Sequence, residues 1–318
     1  MIDRFGRDID YLRLSVTDRC NLRCRYCMPE TGVCKKSHAE MLTEDETITA
    51  IEAAAALGIR KLRITGGEPL IKKNILSICR RAAAVPGIRE VCLTTNGILL
   101  SQFAGPLKQA GVSRLNLSLD TLNAEKYAYM TRLGKLEDFY QGLEAALGVG
   151  FEKIKINAVL IGGFNDDEIV QLAQLSIRYP VDVRFIELMP MYDGGDFDAA
   201  AYIPCSKVLE QLPAAEPVPP DGGIARLYRL PGAQGNIGLI HPVSAHFCAE
   251  SLPPPAQNRR PWKSTYHTHQ KQSPSTCASP RRHYTTISRK KRRPHRRFTS
   301  NAFSASRFPA ARSAAQVC

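Results

Sequence analysis

Between residue 10 and about residue 190, six β-rich runs alternate with helical patterns, and few folds accommodate that alternation. The runs are YLRLSV (11–16), KLRIT (61–65), EVCLTT (90–95), RLNLSL (114–119), KIKINAVL (153–160) and DVRFIEL (182–188). The helical signal is clearest in TEDETITAIEAAAALG. There Thr43 can cap the start, with Glu46 three residues on completing a capping box. Ile48, Ile51, Ala55 and Leu57 roughly follow one face, and Gly58 supplies a stop. Strand–helix repeats joined by right-handed crossovers build a parallel sheet. A closed eight-unit barrel takes about 250 residues. With six units visible, the expected fold class is α/β, a curved partial (β/α)6 barrel over residues 1–190. Residues 191–250 are less regular and open a second region, with short strands expected at ARLYRL and NIGLIHPV.

The net charge of +13 suggests a nucleic-acid footprint until it is divided along the chain. From Ser251 onward there are 15 Lys and Arg and no Asp or Glu, so 43 less 15 leaves 28 bases against 30 acids before it, a net of −2. The basic character lies in the tail and says nothing of what the body binds. Residues 251–318 are also rich in proline and lack a sustained apolar period, the composition of a segment that cannot offset its ordering entropy. We expect that tail to be disordered or the product of a shifted reading frame. SRKKRRPHRRF within it would bind phosphates in a salt-dependent way, but no aromatic platform or folded motif accompanies it. No apolar run approaches the roughly 20 residues of a membrane span. MIDRFGRDID carries no signal-peptide pattern, so a cytoplasmic location is expected. Ten cysteines in such a chain point to thiolates or metal ligands rather than disulfides.

Three of those cysteines, Cys20, Cys24 and Cys27, fall within SVTDRCNLRCRYCMPETG, where Arg19, Asn21, Arg23 and Arg25 argue against an apolar setting. Structural zinc usually takes four ligands, commonly as paired C-x2-C units. Ferredoxin runs supply a fourth thiolate for every cluster. The spacing here is C-x3-C-x2-C, and the next cysteine, Cys34, lies beyond a Pro/Gly turn. Three thiolates around an iron–sulfur cubane leave one iron without a protein ligand, open to a substrate. TGGEPL (65–70) follows the second run directly. Its paired glycines permit close backbone approach, and Glu68 offers a carboxylate to an ammonium group. LTTNG (93–97), NLSLD (116–120), KIN (155–157) and ELMP (187–190) lie at or within strands whose C-terminal ends share one mouth, where ligands of parallel α/β folds bind.

CNLRCRYC together with GGEP resembles the signature of the radical S-adenosylmethionine (SAM) enzymes. In that superfamily the free iron of a [4Fe–4S] cluster chelates SAM, and an electron splits it to a 5′-deoxyadenosyl radical. Within it, YLRLSVTDRCNLRCRYCMPE, KLRITGGEPL, RLNLSLDTL, KIKINAV, RFIELMP and HPVSAHFC are similar to the branch that cyclises GTP at the start of molybdenum-cofactor synthesis. The resemblance implies cluster ligation by Cys20, Cys24 and Cys27. It implies SAM contacts from Tyr26, Gly67, Glu68, Ser118 and Met189, and GTP contacts from Arg13, Arg63, Thr94 and Lys155. The implied reaction abstracts the ribose C3′ hydrogen and joins C3′ to guanine C8, giving (8S)-3′,8-cyclo-7,8-dihydroguanosine 5′-triphosphate. It needs a reductant and implies a homodimer, and no side chain is singled out as an acid or base.

The pattern breaks near its end. That branch carries a second [4Fe–4S] cluster on a C-x2-C pair and a later cysteine. Here Cys248 is present, but position 251 is Ser251 and the next cysteine, Cys277, lies far into the basic tail. A frame shift near Glu250 is the expected origin of the change. The chain as written is expected to hold one cluster and to cyclise GTP poorly. A different radical SAM enzyme, such as a peptide modifier, is the rival reading.

Overall fold

The computed structural model describes residues 8–32, 41–189, 197 and 199–244, and the backbone of 316–317. Cys248, the rest of the basic tail and Cys34 lie outside the described residues.

Six strands, β1 (Tyr11–Ser15), β2 (Lys61–Thr65), β3 (Glu90–Thr95), β4 (Arg114–Ser118), β5 (Lys153–Leu160) and β6 (Val181–Glu187), pair in parallel in chain order. Helices α1 (Glu44–Ala56), α2 (Ile75–Ala83), α3 (Leu100–Gln109), α4 (Ala124–Thr131), α5 (Leu136–Val149) and α6 (Ile169–Arg178) form the crossovers. The sheet continues past the six expected units. After α7 (Ser206–Gln211) come β7 (Glu216–Val218), β8 (Arg226–Arg229) and β9 (Ile237–Ile240). Strand β9 pairs in parallel with β6, and β8 and β7 follow antiparallel. At the opposite edge β10 (Gln316–Val317) pairs antiparallel with β1. Among the described residues no helix is long and apolar enough to cross a membrane.

Local chemistry sets the elements. Thr43 caps α1 and forms the reciprocal capping box with Glu46, satisfying two otherwise orphaned amides. Ile48 and Ile51 are buried beneath α1, whereas Leu57 is 62% exposed. Leu57 is the C-cap, where the backbone leaves the helical path, so it does not continue the buried face.

Alternation within the strands decides where the core sits. Leu12, Leu14, Leu62, Ile64, Leu93, Leu115, Leu117, Ile156 and Phe185 point toward the helices and join one buried cluster with Ile51, Ile78, Leu107 and Phe139. Truncating such a residue to Ala costs roughly 2–5 kcal/mol. The residues between them line the other, inner face: Arg13, Arg63, Cys92, Thr94, Arg114, Asn116, Ser118, Lys153, Lys155, Asn157, Asp182 and Arg184. A parallel sheet covered on both faces reads as continuous apolar runs. This one keeps a charged inner face, which makes it a lined chamber.

Candidate active site

The cysteine loop lies at the C-terminal end of the sheet and is fixed by backbone chemistry. The amides of Arg23 and Arg25 donate to the carbonyls of Thr131 and Met130 (both 3.0 Å), using acceptors that the end of α4 leaves open. Arg132 donates to the Arg23 carbonyl (2.6 Å), and Arg23 in turn donates to the carbonyls of Cys20 and Leu22. The loop arginines thus serve as its internal bracing.

The TGGEPL turn supports the loop from beneath. The amides of Gly67 and Glu68 donate to the carbonyls of Thr17 and Arg19 (both 2.7 Å). A Cβ on Gly67 would overlap the Arg19 carbonyl, so only glycine permits this approach. Glu68 caps the short 3-10 turn Pro69–Ile71, and its carboxylate accepts from the Leu70 amide (3.0 Å), the Thr95 hydroxyl (2.7 Å) and the Asn96 amide (2.7 Å). Burial pushes its pKa up to about 7, against the pull of those donors. Three of a carboxylate's roughly four acceptor positions are therefore filled, leaving one for an incoming donor. Asn96 also donates to Asn21 (2.8 Å), joining the TTNG turn to the cysteine loop. Gly142 completes the support: a side chain there would collide with the Gly97 carbonyl, and its absence lets α5 seat on that turn.

Cys24, Tyr26, Asn96, Ser118 and Asp120 share one cavity under the loop. Tyr26 donates to Asp120 (3.0 Å), whose other oxygen accepts from the Val159 amide (2.9 Å). Burial raises Asp120 to about 6. Cys20, Cys24 and Cys27 are partly buried. Burial pushes Cys20 up to about 11 and Cys24 well upward, so both are thiols until a metal replaces the proton. Among the described residues no group of three or more His, Cys, Asp or Glu converges to hold a single ion. The Leu22 amide donates to Cys20 Sγ (3.4 Å), leaving that sulfur poised as an acceptor. Three thiols on one braced loop, with Cys24 lining the cavity beneath it, are a donor set that would suit an iron–sulfur cluster.

Below the loop the inner face carries its charges in register. Arg13, Arg63, Cys92, Arg114 and Lys153 are neighbours across β1–β5. One pleat toward the mouth, Thr94, Asn116, Lys155 and Asp182 form the next row, and Ser118, Asn157 and Arg184 the third. At about 3.3 Å rise per residue, the rows step roughly 7 Å apart. Lys155 is buried, and burial, with the nearby Arg184 charge, lowers its pKa to about 8. Arg63 stacks on Tyr11 (5.1 Å) and, with the Asn116 amide oriented to satisfy both partners, donates to it (3.0 Å). The Nε atoms of Arg63 and Arg184 are buried without a partner.

Of the residues expected from sequence, Cys24, Tyr26 and Ser118 come together in the cavity, and Gly67 and Glu68 frame the turn supporting it. Arg13, Arg63, Thr94 and Lys155 line two adjoining rows. Met189 is 43% exposed just past β6 and lines no part of the cavity. The structure adds Asp120, Asn96, Arg114, Lys153 and Arg184. The period-2 pattern of RLNLS, KIKIN and DVRFIE already signalled the last three.

A cysteine loop on a parallel sheet open to a charged chamber has counterparts. Residues 14–176 match the family model described as Radical SAM superfamily. The chain belongs to the radical SAM superfamily. As such it is an enzyme type that works with a [4Fe–4S] cluster and SAM. Residues 181–251 match the model described as Molybdenum Cofactor Synthesis C. The chain is 47% identical over 256 residues to the GTP 3′,8-cyclase of Pelotomaculum thermopropionicum, covering 78% of each. It is also 47% identical over 251 residues to that of Peptoclostridium acidaminophilum, covering 78% of this radical SAM chain and 77% of the relative. Streptococcus suis SuiB bound to S-adenosylmethionine shares the fold at a TM-score of 0.51 and 18% identity, over 64% of this chain and 44% of that one.

Proposed function

We propose that this chain is a GTP 3′,8-cyclase that begins the reaction by abstracting the ribose C3′ hydrogen and completes the cyclisation poorly, with Cys20, Cys24 and Cys27 holding the cluster. One observation carries the reading: a three-thiol loop caps a chamber whose next rows hold buried lysine and arginine. A cluster held by those thiols would lie at the mouth of the cationic rows and would supply the hydrogen-abstracting chemistry there. When bound, the cluster and SAM supply the one-electron chemistry that removes the ribose C3′ hydrogen. Glu68 offers its remaining acceptor position to the methionyl ammonium, and Ser118 and Tyr26 line the cavity beside it. Arg13, Arg63 and Lys155 bind the triphosphate, whose oxygens suit guanidinium forks and an ammonium. Thr94 supplies a hydroxyl in the row of Lys155. The enclosure orients C3′ toward the mouth and excludes water. The same reading makes this a cytoplasmic homodimer supplied by a low-potential reductant.

GTP deuterated at C3′ tests it. After anaerobic reconstitution and reduction, deuterium should appear in 5′-deoxyadenosine; label retained on GTP would contradict the assignment. Cys248 is a lone candidate for the second cluster, so iron for one cubane is expected, with little cyclised product. Lys155 gives a pH signature. It is charged below about pH 8 and loses its proton above it, so GTP affinity should fall as pH rises from about 7 to 9. In Lys155→Ala the affinity should be lower by roughly tenfold or more, the value of a charge-assisted bond, and flat over that window. Isothermal titration across the window checks both.

A further inference from the structure

Among the described residues, the carboxylates on the inner face fall into two kinds. Glu90 and Asp182 belong to the strands and face Arg114 (2.7 Å) and Lys153 (2.9 Å), with Asp182 also 3.9 Å from Lys155. Asp221 is different. It sits on the β7–β8 connection, whose backbone is exposed, yet its side chain turns inward and is 24% exposed. Its Oδ2 lies 3.1 Å from Lys155, 3.7 Å from Lys153 and 3.8 Å from Arg184. Its Oδ1 accepts from the Gly223 amide (3.1 Å), and Gly222, at φ +76°, makes the tip turn that aims it.

We propose that Asp221 is a resident counter-ion plugging the cationic floor, which an entering polyphosphate must displace, so that it weakens every ligand whose phosphate reaches the floor and leaves the bare nucleoside unaffected. The inference rests on the GTP reading above and adds a displaceable competitor to it. Three cations lie within 4 Å of one carboxylate oxygen, with Lys155 alone at hydrogen-bond distance, so their charge is gathered where a phosphate oxygen could take the place of the carboxylate. Asp221 stays ionised: burial opposes its charge most strongly, but the Lys155 bond and charge, the Gly223 amide and the Arg184 charge together outweigh that and hold its pKa down to about 2. The plug is the one of the three carboxylates that can leave, because it rides on a Pro- and Gly-rich loop, PPDGG, rather than on a strand. A triphosphate brings enough charge to replace it on Lys155 and Arg184, and the observed affinity is its own contacts less the cost of displacing the plug.

Binding of GTP, GMP, inorganic triphosphate and guanosine to the full chain tests this, comparing wild type with Asp221→Asn and Asp221→Ser. Removing the plug should tighten inorganic triphosphate and GTP roughly tenfold, by one charge-assisted contact no longer displaced. GMP should tighten by the same factor where its phosphate reaches the floor and by less where it does not, with guanosine unchanged. Unchanged or weaker triphosphate binding in both variants, with Lys155→Ala still impaired, would overturn the plug alone and make Asp221 a brace for Lys155. If Lys155→Ala binds triphosphate as well as wild type, the polyphosphate reading of the floor fails, and the plug fails with it. A thermal midpoint for each variant confirms that folded protein is being compared.

Discussion

Cys24→Ala should abolish SAM cleavage, with no 5′-deoxyadenosine above background after reduction and no charge-transfer absorbance after reconstitution. The loss should exceed the ~10–100-fold that outer-shell changes around metal sites cost, because here a ligand is removed from a set with none to spare. Cys24 lines the cavity with Tyr26 and Ser118, and no histidine or carboxylate completes a metal-binding group with these thiols among the described residues. Its neutral form in the metal-free protein means that the thiol contributes little to folding. Thermal stability without iron should therefore change by less than about 1 kcal/mol, the range of small surface and near-surface changes. Buried Cys205→Ala is the control. Its thiol points at the carbonyls of Phe185 and Ile240, away from the loop, and iron content should be unaffected.

Glu68→Ala should cripple the same site by a different route. Its carboxylate joins the turn beneath the cysteine loop to the turn after β3. Deleting it strands the Leu70 amide, the Thr95 hydroxyl and the Asn96 amide in a buried place. Each unmet donor costs about 1–3 kcal/mol, so a loss of roughly 3–6 kcal/mol is expected once water relaxes part of the site. That is a large share of a domain's stability. Denaturant unfolding checks it, with Thr95→Val, which removes one donor to Glu68 and the acceptor of the Gly97 amide, as a smaller loss of about 1–3 kcal/mol. The pH dependence has a definite sign. The folded pKa is raised from 4.5 to about 7, so the native state holds the proton more tightly. The associated stability is full below about pH 4.5 and is lost as pH rises through about 7. Glu68→Gln should flatten that decline.

The strands and the first helix cap were legible because each rests on local chemistry: alternation for the strands, and a Thr–Glu pair for α1. The mouth motifs were legible because glycine and cysteine mark positions where side-chain size or sulfur chemistry leaves little choice. What stayed hidden depends on distant pairings. Nothing in NIGLI announces that β9 will lie parallel to β6, since the pairing is set by a connection through α7, β7 and β8. Asp221 reads as a turn residue in PPDGG, and only the sheet's register brings Lys155, Lys153 and Arg184 to meet it. Glu68 was legible as a charge but not as a tie, because its partners Thr95 and Asn96 lie one crossover away.

The account stands on a cubane held by three thiolates with one iron left for SAM. The most direct test is anaerobic reconstitution of the full chain with iron and sulfide, followed by a strong reductant and SAM. The expected result is charge-transfer absorbance that changes on adding SAM, and 5′-deoxyadenosine that depends on Cys20, Cys24 and Cys27 together. A protein that retains iron yet neither responds to SAM nor releases deoxyadenosine would contradict it.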